Sequence, residues 1–484
     1  MNDGQGRIHG SVPQRSAEAV AGGIPPDATL LVSGFGRVGY PKAVPLALAD
    51  DDRSLSLTVV SGGNVGDEID TAMVEAGAIA RRYPYQGTSA SRAAANENRM
   101  AYSDRNVSQV GDEVRYGGLV EGPTTAVVEA VAVGPDWLIP STSIGQTPAF
   151  VAAADELVVE VNHAQPRALE AVHDVYTRDP PPGRDPIPLD DPWGRVGTPR
   201  VEFDPDILSA VVETDRSDST YSFRDPTGDD QAIAGHVADF LRSLVESNPV
   251  FAERLTLQFG VGSLGNALMG ELTGVDFGDR DIVYFGEVFQ DGLLDMLDAG
   301  ELAAASATTL ALSDEGQSRF FNDIDRYADD VVLRPTDVSN AAELVDRFGV
   351  VAVNSALEID LFGHVNSTHA NGRRVITGVG GSGDYNRNAL VTVCALPSRL
   401  GDGTSRVVPM VPHVDHTEHD VDVVVTEQGV ADIRGCSPVE RAERIVDDCA
   451  HPAVQEDLRT YLDEAKAHGG HLPYDAVAAA QWQR

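Results

Sequence analysis

Short aliphatic runs recur along the chain, each closed by a glycine or polar break and most followed by a stretch of helical periodicity. Strands are expected at 29–33, 55–61, 137–140, 156–161 and 207–213, then at 255–259, 281–285, 350–353, 389–394 and 421–426. Between the two sets, Ile233, Val237, Phe240, Leu241 and Leu244 line one face of a helix over 229–247. Short apolar strands alternating with helices predict an α/β protein with mostly parallel sheets. The rhythm breaks at 176–200, where Pro, Gly and Asp crowd together and predict a loop. A boundary is expected in 214–228, giving domains over 1–220 and 221–484. Both halves show a strand entering a glycine turn and then a helix, at Ser33-Gly34-Phe35-Gly36 and at Phe259-Gly260-Val261-Gly262-Ser263. That parallel predicts two related open α/β domains.

Charge changes the picture more than composition does. There are 75 acidic residues against 36 basic ones, a net charge of -39, and the only lysines are Lys42 and Lys466. A polyanionic surface repels phosphate backbones, which argues against a nucleic-acid partner. It also repels itself until salt screens it. The pattern therefore predicts a salt-rich cytosol, as in a halophilic microbe. Thermal stability should rise from low to molar KCl, and a melting series in which it stays level or falls contradicts this. Cys394, Cys436 and Cys449 form no CxxC pair and are expected to be small buried residues rather than disulfide or metal ligands. The polar N-terminus and the lack of a run of ~18 apolar residues predict no secretory signal and no membrane helix, hence a cytoplasmic protein.

Four segments could carry chemistry. Residues 255–268 run a strand into Gly260, Val261, Gly262, Ser263, Leu264 and Gly265, where backbone amides at a helix start suit an anion or oxyanion. The GxGxxG spacing alone also fits a dinucleotide site or a plain tight turn. Residues 281–302 end a strand at Gly286-Glu287, with a helix expected over 290–302. Glu287 sits where open parallel sheets place ligand-binding groups, although a helix-capping acid is the commoner reason for a glutamate there. Residues 377–383 (Thr377 to Gly383) are the most glycine-dense run, able to aim amides at developing charge. Glu427 closes the expected strand at 421–426.

Together with GFGRVGYPKAVPLALA (34–49), AGAIARRYPYQ (76–86), the 333–372 run ending in GHVNSTHANG, GVGGSGDYNRNA and VTEQGVADIRG, these segments resemble the acetyl-CoA hydrolase/transferase family over nearly the whole chain. The resemblance implies two related open α/β CoA-transferase domains, the C-terminal one carrying a nucleophilic glutamate at Glu287, in an E-x-x-x-D-G context with Asp291 and Gly292. It implies catalytic roles for Asn340 and Glu427, CoA-binding and oxyanion roles for Gly260, Val261, Gly262, Ser263 and Leu264, and the same for Gly380 and Gly381. Where some members bind CoA with a lysine, residues 398–405 offer only Arg399.

The implied activity is transfer of CoA between a short acyl-CoA, such as acetyl-CoA or succinyl-CoA, and a carboxylate such as acetate. It would be ping-pong through a glutamyl-CoA thioester, with CoA as substrate and no metal or other cofactor. A homodimer is expected. Net hydrolysis of acetyl-CoA through the same intermediate is an alternative, and a nucleotide-binding regulatory protein on the same scaffold is an alternative of another class. Calorimetric titration with NAD, ATP and CoA separates the last, since only CoA should bind.

Overall fold

The computed structural model describes residues 6–219 and 224–469. The boundary expected between 220 and 221 falls outside the described residues. Two compact units are formed. The first comprises the described residues of Met1–Ser222 with Tyr284–Leu294 and Ala303–Leu344; the second comprises those of Phe223–Val283, Asp295–Leu302 and Val345–Arg484. The chain thus returns twice to the first unit after leaving it, and the strand end bearing Glu287 lies in one of these returns. Each unit is of the α/β class with mostly parallel strands.

The first unit is built on a nine-stranded sheet: β1 (Thr29–Val32), β2 (Leu57–Ser61), β3 (Ile79–Tyr83), β4 (Ala101–Tyr102), β5 (Thr124–Val133), β6 (Trp137–Pro140), β7 (Glu156–Asn162), β8 (Val201–Glu202) and β9 (Leu208–Thr214). The order β4-β3-β2-β1-β5 is parallel throughout, and β5 continues into β7 and β9 in parallel. Only β6 runs against the others, pairing antiparallel with β5 on one side and β8 on the other. Every residue of β5 is buried, as expected of a central strand covered on both faces. Leu30, Val32, Leu57, Val59, Val44 and Ile69 form the core on one face of this sheet.

Residues 176–200 contain neither helix nor ladder strand, but they are tied down. Ile187 and Leu189 are fully buried, and Arg184 forks onto Asp112 at 2.7 and 2.9 Å. The buried Arg334 guanidinium pairs with Asp174 and donates to the carbonyls of Pro192 and Gly194. Burial holds its pKa down, to about 10, so the ion stays charged at neutral pH.

The second unit opens with a 20-residue helix, Gly228–Ser247. Thr227 and Asp230 form a capping box at its start. Ile233, Val237, Leu241 and Leu244 are buried as the periodicity predicts, whereas Phe240 is half-buried under the Arg434 guanidinium. Its sheet carries β10 (Arg254–Phe259), Val351–Ser355, Val391–Ala395 and Val423–Thr426 as parallel neighbours in that order, with Gly429–Asp432 folding back antiparallel. Cys394 and Cys449 are buried and unoxidised here; Cys436 is only half-buried, a correction to the uniform burial expected of the three, because it lies in the turn after Gly429–Asp432.

Candidate active site

β11 (Asp281–Phe285) occupies the expected residues. The chain then turns at Gly286-Glu287 and makes β12 (Val288–Phe289) before the helix Asp291–Ala299, which is shorter than the 290–302 expected. β12 pairs in parallel with Thr309–Leu310. The turn is held from several sides. The Glu287 carbonyl accepts the amides of Thr308 (2.8 Å) and Thr309 (3.2 Å), and the Val288 amide reaches the Tyr284 hydroxyl at 3.4 Å. Tyr284 is fully buried, and a Cβ at position 286 would lie 2.3 Å from its Oη. Only glycine lets the tyrosine tuck beneath the turn. Burial, then the Glu287 charge, raises the Tyr284 pKa, so the phenol stays neutral. Behind Val288, Phe35 packs with Val107 and Ala311, and Thr309 Oγ1 donates to the Phe35 carbonyl at 3.0 Å. The N-terminal GFG turn thereby backs the Glu287 strand.

The side chain of Glu287 is half-buried, and its Oε1 accepts a 2.7 Å bond from Asn340 Nδ2. Asn340 follows the short helix Thr336–Ser339 and is 1% exposed. Ser339 Oγ donates to Asn340 Oδ1 at 2.8 Å, which fixes the amide so that its nitrogen faces the carboxylate. Asn340 also lines a cavity of about 620 Å³ within the first unit, walled by Tyr116, Arg178, Asp337 and Glu343 among others. Burial pushes Asp337 up to about 6. With acids outnumbering the one arginine on its walls, this cavity is ill suited to the phosphates of CoA.

The remaining expected residues lie in the second unit, residues 260–264 and Glu427 at the carboxyl ends of parallel strands, and Gly380 and Gly381 between the antiparallel hairpin His369–Ala370/Arg374–Val375 and a helix. Gly260, Val261 and Gly262 follow β10, and the helix Ser263–Leu272 starts inside the expected loop, so Ser263, Leu264 and Gly265 are its first turn. Gly262 caps it at φ 148°, a conformation open to glycine alone. The first-turn amides have no partner within the helix, and Val261 to Leu264 are at least partly exposed. Gly260 lies against Asn354, at the end of Val351–Ser355; Asn354 Nδ2 in turn donates to Asn386 Oδ1 at 2.8 Å. Asn386 belongs to the helix Ser382–Asn388, which follows the glycine run containing Gly380 and Gly381. Glu427, just past Val423–Thr426, accepts from the Ser398 amide at 2.7 Å, from Ser398 Oγ, and from Gln428 Nε2 at 2.9 Å. Burial opposes its ionisation, yet these bonds outweigh it and hold its pKa below the ordinary value. Glu427 is therefore an anion with its oxygens already engaged. Arg399 is exposed.

Sequence reasoning missed Tyr284, Thr308 and Thr309, which hold the turn, and Ser398, which holds Glu427. A tyrosine two residues before a strand-end Gly-Glu pair was the one local signal available. Among the described residues no cluster of His, Cys, Asp or Glu is arranged to hold a metal, and no helix is long and apolar enough to cross a membrane.

Comparison with known proteins adds a family. The sequence model for the acetyl-CoA hydrolase/transferase N-terminal domain matches residues 14–213, and that for the C-terminal domain of the same name matches 316–462. The chain is 39% identical over 474 residues to the succinyl-CoA:acetate CoA-transferase of Clostridium kluyveri, covering 96% of this chain and 88% of that protein. It is 35% identical over 473 residues to the acetyl-CoA hydrolase of Schizosaccharomyces pombe, covering 93% and 90%. Among solved structures, RipA from Yersinia pestis superposes with a TM-score of 0.73 at 22% identity, covering 94% of this chain and 98% of that one, a likeness of fold.

Proposed function

This chain belongs to the acetyl-CoA hydrolase/transferase family, and on that footing we propose that it moves CoA between a short acyl-CoA and a carboxylate by ping-pong catalysis at Glu287. It is an enzyme of the CoA-transferase and acetyl-CoA hydrolase kind; the choice of acetyl-CoA or succinyl-CoA with acetate, and the covalent route, are the proposal. The observation that carries it is a strand-end glutamate whose backbone is clamped and whose carboxylate is aimed by a buried asparagine.

A Glu287 oxygen attacks the thioester carbonyl carbon. The C–S bond breaks, leaving an acyl–glutamyl anhydride and CoA thiolate. The thiolate attacks the glutamyl carbonyl, the C–O bond breaks, and the first acid departs as carboxylate, leaving glutamyl-CoA. The acceptor carboxylate reverses both steps, and no proton is gained or lost overall. A carboxylate suits this work because anhydride and thioester are both activated acyl groups, so the activation of the thioester is retained. Each addition places negative charge on a carbonyl oxygen. Amides of the 260–264 and 380–381 segments are assigned to stabilise it, and Glu427 to orient the reacting acid. In hydrolysis, water replaces the acceptor and releases CoA with a proton.

Acetyl-CoA consumption measured with and without succinate tests the assignment. Turnover that depends on the acid and yields succinyl-CoA supports transfer; equal turnover without it supports hydrolysis. Within this scheme Asn340 Nδ2 holds the nucleophile through a hydrogen bond to a charged group, worth about 1.5–3 kcal/mol. Asn340→Ala should therefore lower kcat by roughly 10- to 100-fold, with the melting temperature little changed. Steady-state kinetics check this, and an unaltered kcat contradicts it.

A further inference from the structure

We propose that His416 is a positioning residue for the glycine run 378–383, fixing the loop whose amides act on the acyl oxygen; this rests on the reading of Gly380 and Gly381 given above. The run contains Gly378, Gly380, Gly381 and Gly383. Glycine lets the backbone reach the needed geometry, and Gly380 takes φ 59°, but it leaves the loop with more freedom to lose than any other residue would. An oxyanion site works only if its donors are in place before charge develops. Something must therefore anchor the run.

Ser382 is the point of anchorage. Its Oγ donates to the Val379 carbonyl at 2.7 Å, closing the loop on itself. The same Oγ lies 3.1 Å from His416 Nε2. A hydroxyl has one proton, and the shorter bond takes it, so the imidazole supplies the proton of the second bond. This assigns the Nε2–H form of His416. The loop's other end is held by the helix Ser382–Asn388, where the amides of Asp384 and Tyr385 donate to the Gly381 carbonyl at 2.9 and 3.0 Å.

His416 is itself rigidly placed. It is 3% exposed, and its backbone exchanges two bonds with Val365, at 2.9 and 3.1 Å. The preceding Asp415 accepts the amides of Ser367 (2.6 Å) and Thr368 (3.0 Å), fastening the same segment. The charged groups facing the imidazole are Asp415, Asp420 and Arg387. Burial outweighs the two acids and keeps the ring neutral, with a single N–H to give. The chain thus runs from a paired backbone through His416 to Ser382 and so to the glycine amides.

The test is a kinetic cycle on the full chain in high salt. His416→Ala should lower kcat about tenfold, the loss expected for one anchoring hydrogen bond, and Ser382→Ala, which also frees the Val379 carbonyl, at least as much, while the acyl-CoA KM stays within about twofold in each. Because His416 acts on the loop through Ser382, the double variant should be no slower than Ser382→Ala alone. His416→Gln, whose Nε2 can stand where the imidazole Nε2 stands, should recover kcat to within about threefold of the parent, at an unchanged melting temperature. Should His416→Ala fail to fold, Ser382→Ala and His416→Gln carry the test. A kcat for His416→Ala within twofold of the parent, a double variant that multiplies the two losses, or a glutamine variant no better than alanine overturns the proposal. Glu287→Ala is run alongside: activity there overturns the underlying reading, whereas an inactive Glu287→Ala beside a normal His416→Ala removes this inference alone.

Discussion

Glu287→Ala is expected to abolish acyl transfer, with kcat down at least ~10⁴-fold, as for other covalent nucleophiles. No other oxygen can be substituted, because the turn is specific to this position. The Glu287 carbonyl is held by Thr308 and Thr309, the next amide by Tyr284, and the carboxylate by Asn340. Glu287→Gln should be nearly as inactive: it keeps the size of the side chain but offers a neutral amide oxygen as nucleophile. Both variants should fold, since the side chain is only half-buried and leaves no large cavity. The readout is single-turnover release of CoA from acyl-CoA. Release at the parental rate in either variant contradicts the assignment.

Lys42→Met is expected to have the largest effect on stability, a loss of about 3–5 kcal/mol in the first unit, because it strips the cation from a buried ionic cluster. Lys42 is fully buried. Its ammonium spends its three protons on the Tyr40 carbonyl (2.8 Å), Glu129 (2.5 Å) and Asp218 (2.8 Å). Asp218 also binds Gly39 N, Thr142 Oγ1 and Gln165 Nε2, and Glu160 receives the amides of residues 42 to 44 at the start of the helix Ala43–Ala49. Burial works against the ammonium, but Asp218 and Glu129 more than offset it, and the Lys42 pKa is raised. Methionine fills the space and leaves two carboxyl groups without a counter-ion.

The pH dependence follows in sign. Burial, eased by Lys42 and worsened by Asp218, pushes Glu129 up from the ordinary 4.5 to about 7. A raised acid contributes stability that is full below its unfolded pKa and is lost as pH rises through the folded value. Without the ammonium the Glu129 carboxyl rises further, so the variant relieves itself by protonation in acid and cannot in base. The deficit of Lys42→Met against the parent should widen from pH 5 to pH 8. Denaturant midpoints at the two pH values measure it, and a deficit that is constant or shrinks with pH contradicts this account.

Lys42 also shows where reading the sequence stops. All ten expected strands are present; β6 and β11 stand as expected and the other eight have ends displaced by one or two residues. The displacements have local causes. The run expected at 207–213 starts later because Asp204 caps a 3-10 turn over Pro205–Ile207. The run expected at 421–426 starts at Val423 because the Asp422 side chain accepts the Thr392 amide. β5, the central strand of the first unit, was not anticipated at all. Its sequence TTAVVEAVAV has a glutamate at its middle, which reads as a break in a buried strand. Glu129 is tolerated there because Lys42, 87 positions away, pairs with it and Ser141 and Asn162 donate to its oxygens. No local pattern carries that information.

The candidate site divides in the same way. Glu287 was legible because a strand, a glycine and an acid are adjacent in sequence, and the family pattern singled out Asn340, whose bond to Glu287 spans 53 positions. The groups that hold these residues were not legible, since Tyr284 acts through its hydroxyl beneath the turn and His416 reaches Ser382 across 34 positions. Long-range partners of this kind leave no periodic trace.

The central claim is that Glu287 becomes covalently attached to CoA. Incubating the enzyme with acyl-CoA and no acceptor, quenching with borohydride and mapping the peptides by mass spectrometry tests it most directly. The account predicts that the peptide carrying Glu287 shows a carboxyl converted to a primary alcohol, only when acyl-CoA was present, and that Glu287→Ala shows no such change. Modification of a different residue, or none at Glu287 while turnover proceeds, would contradict it.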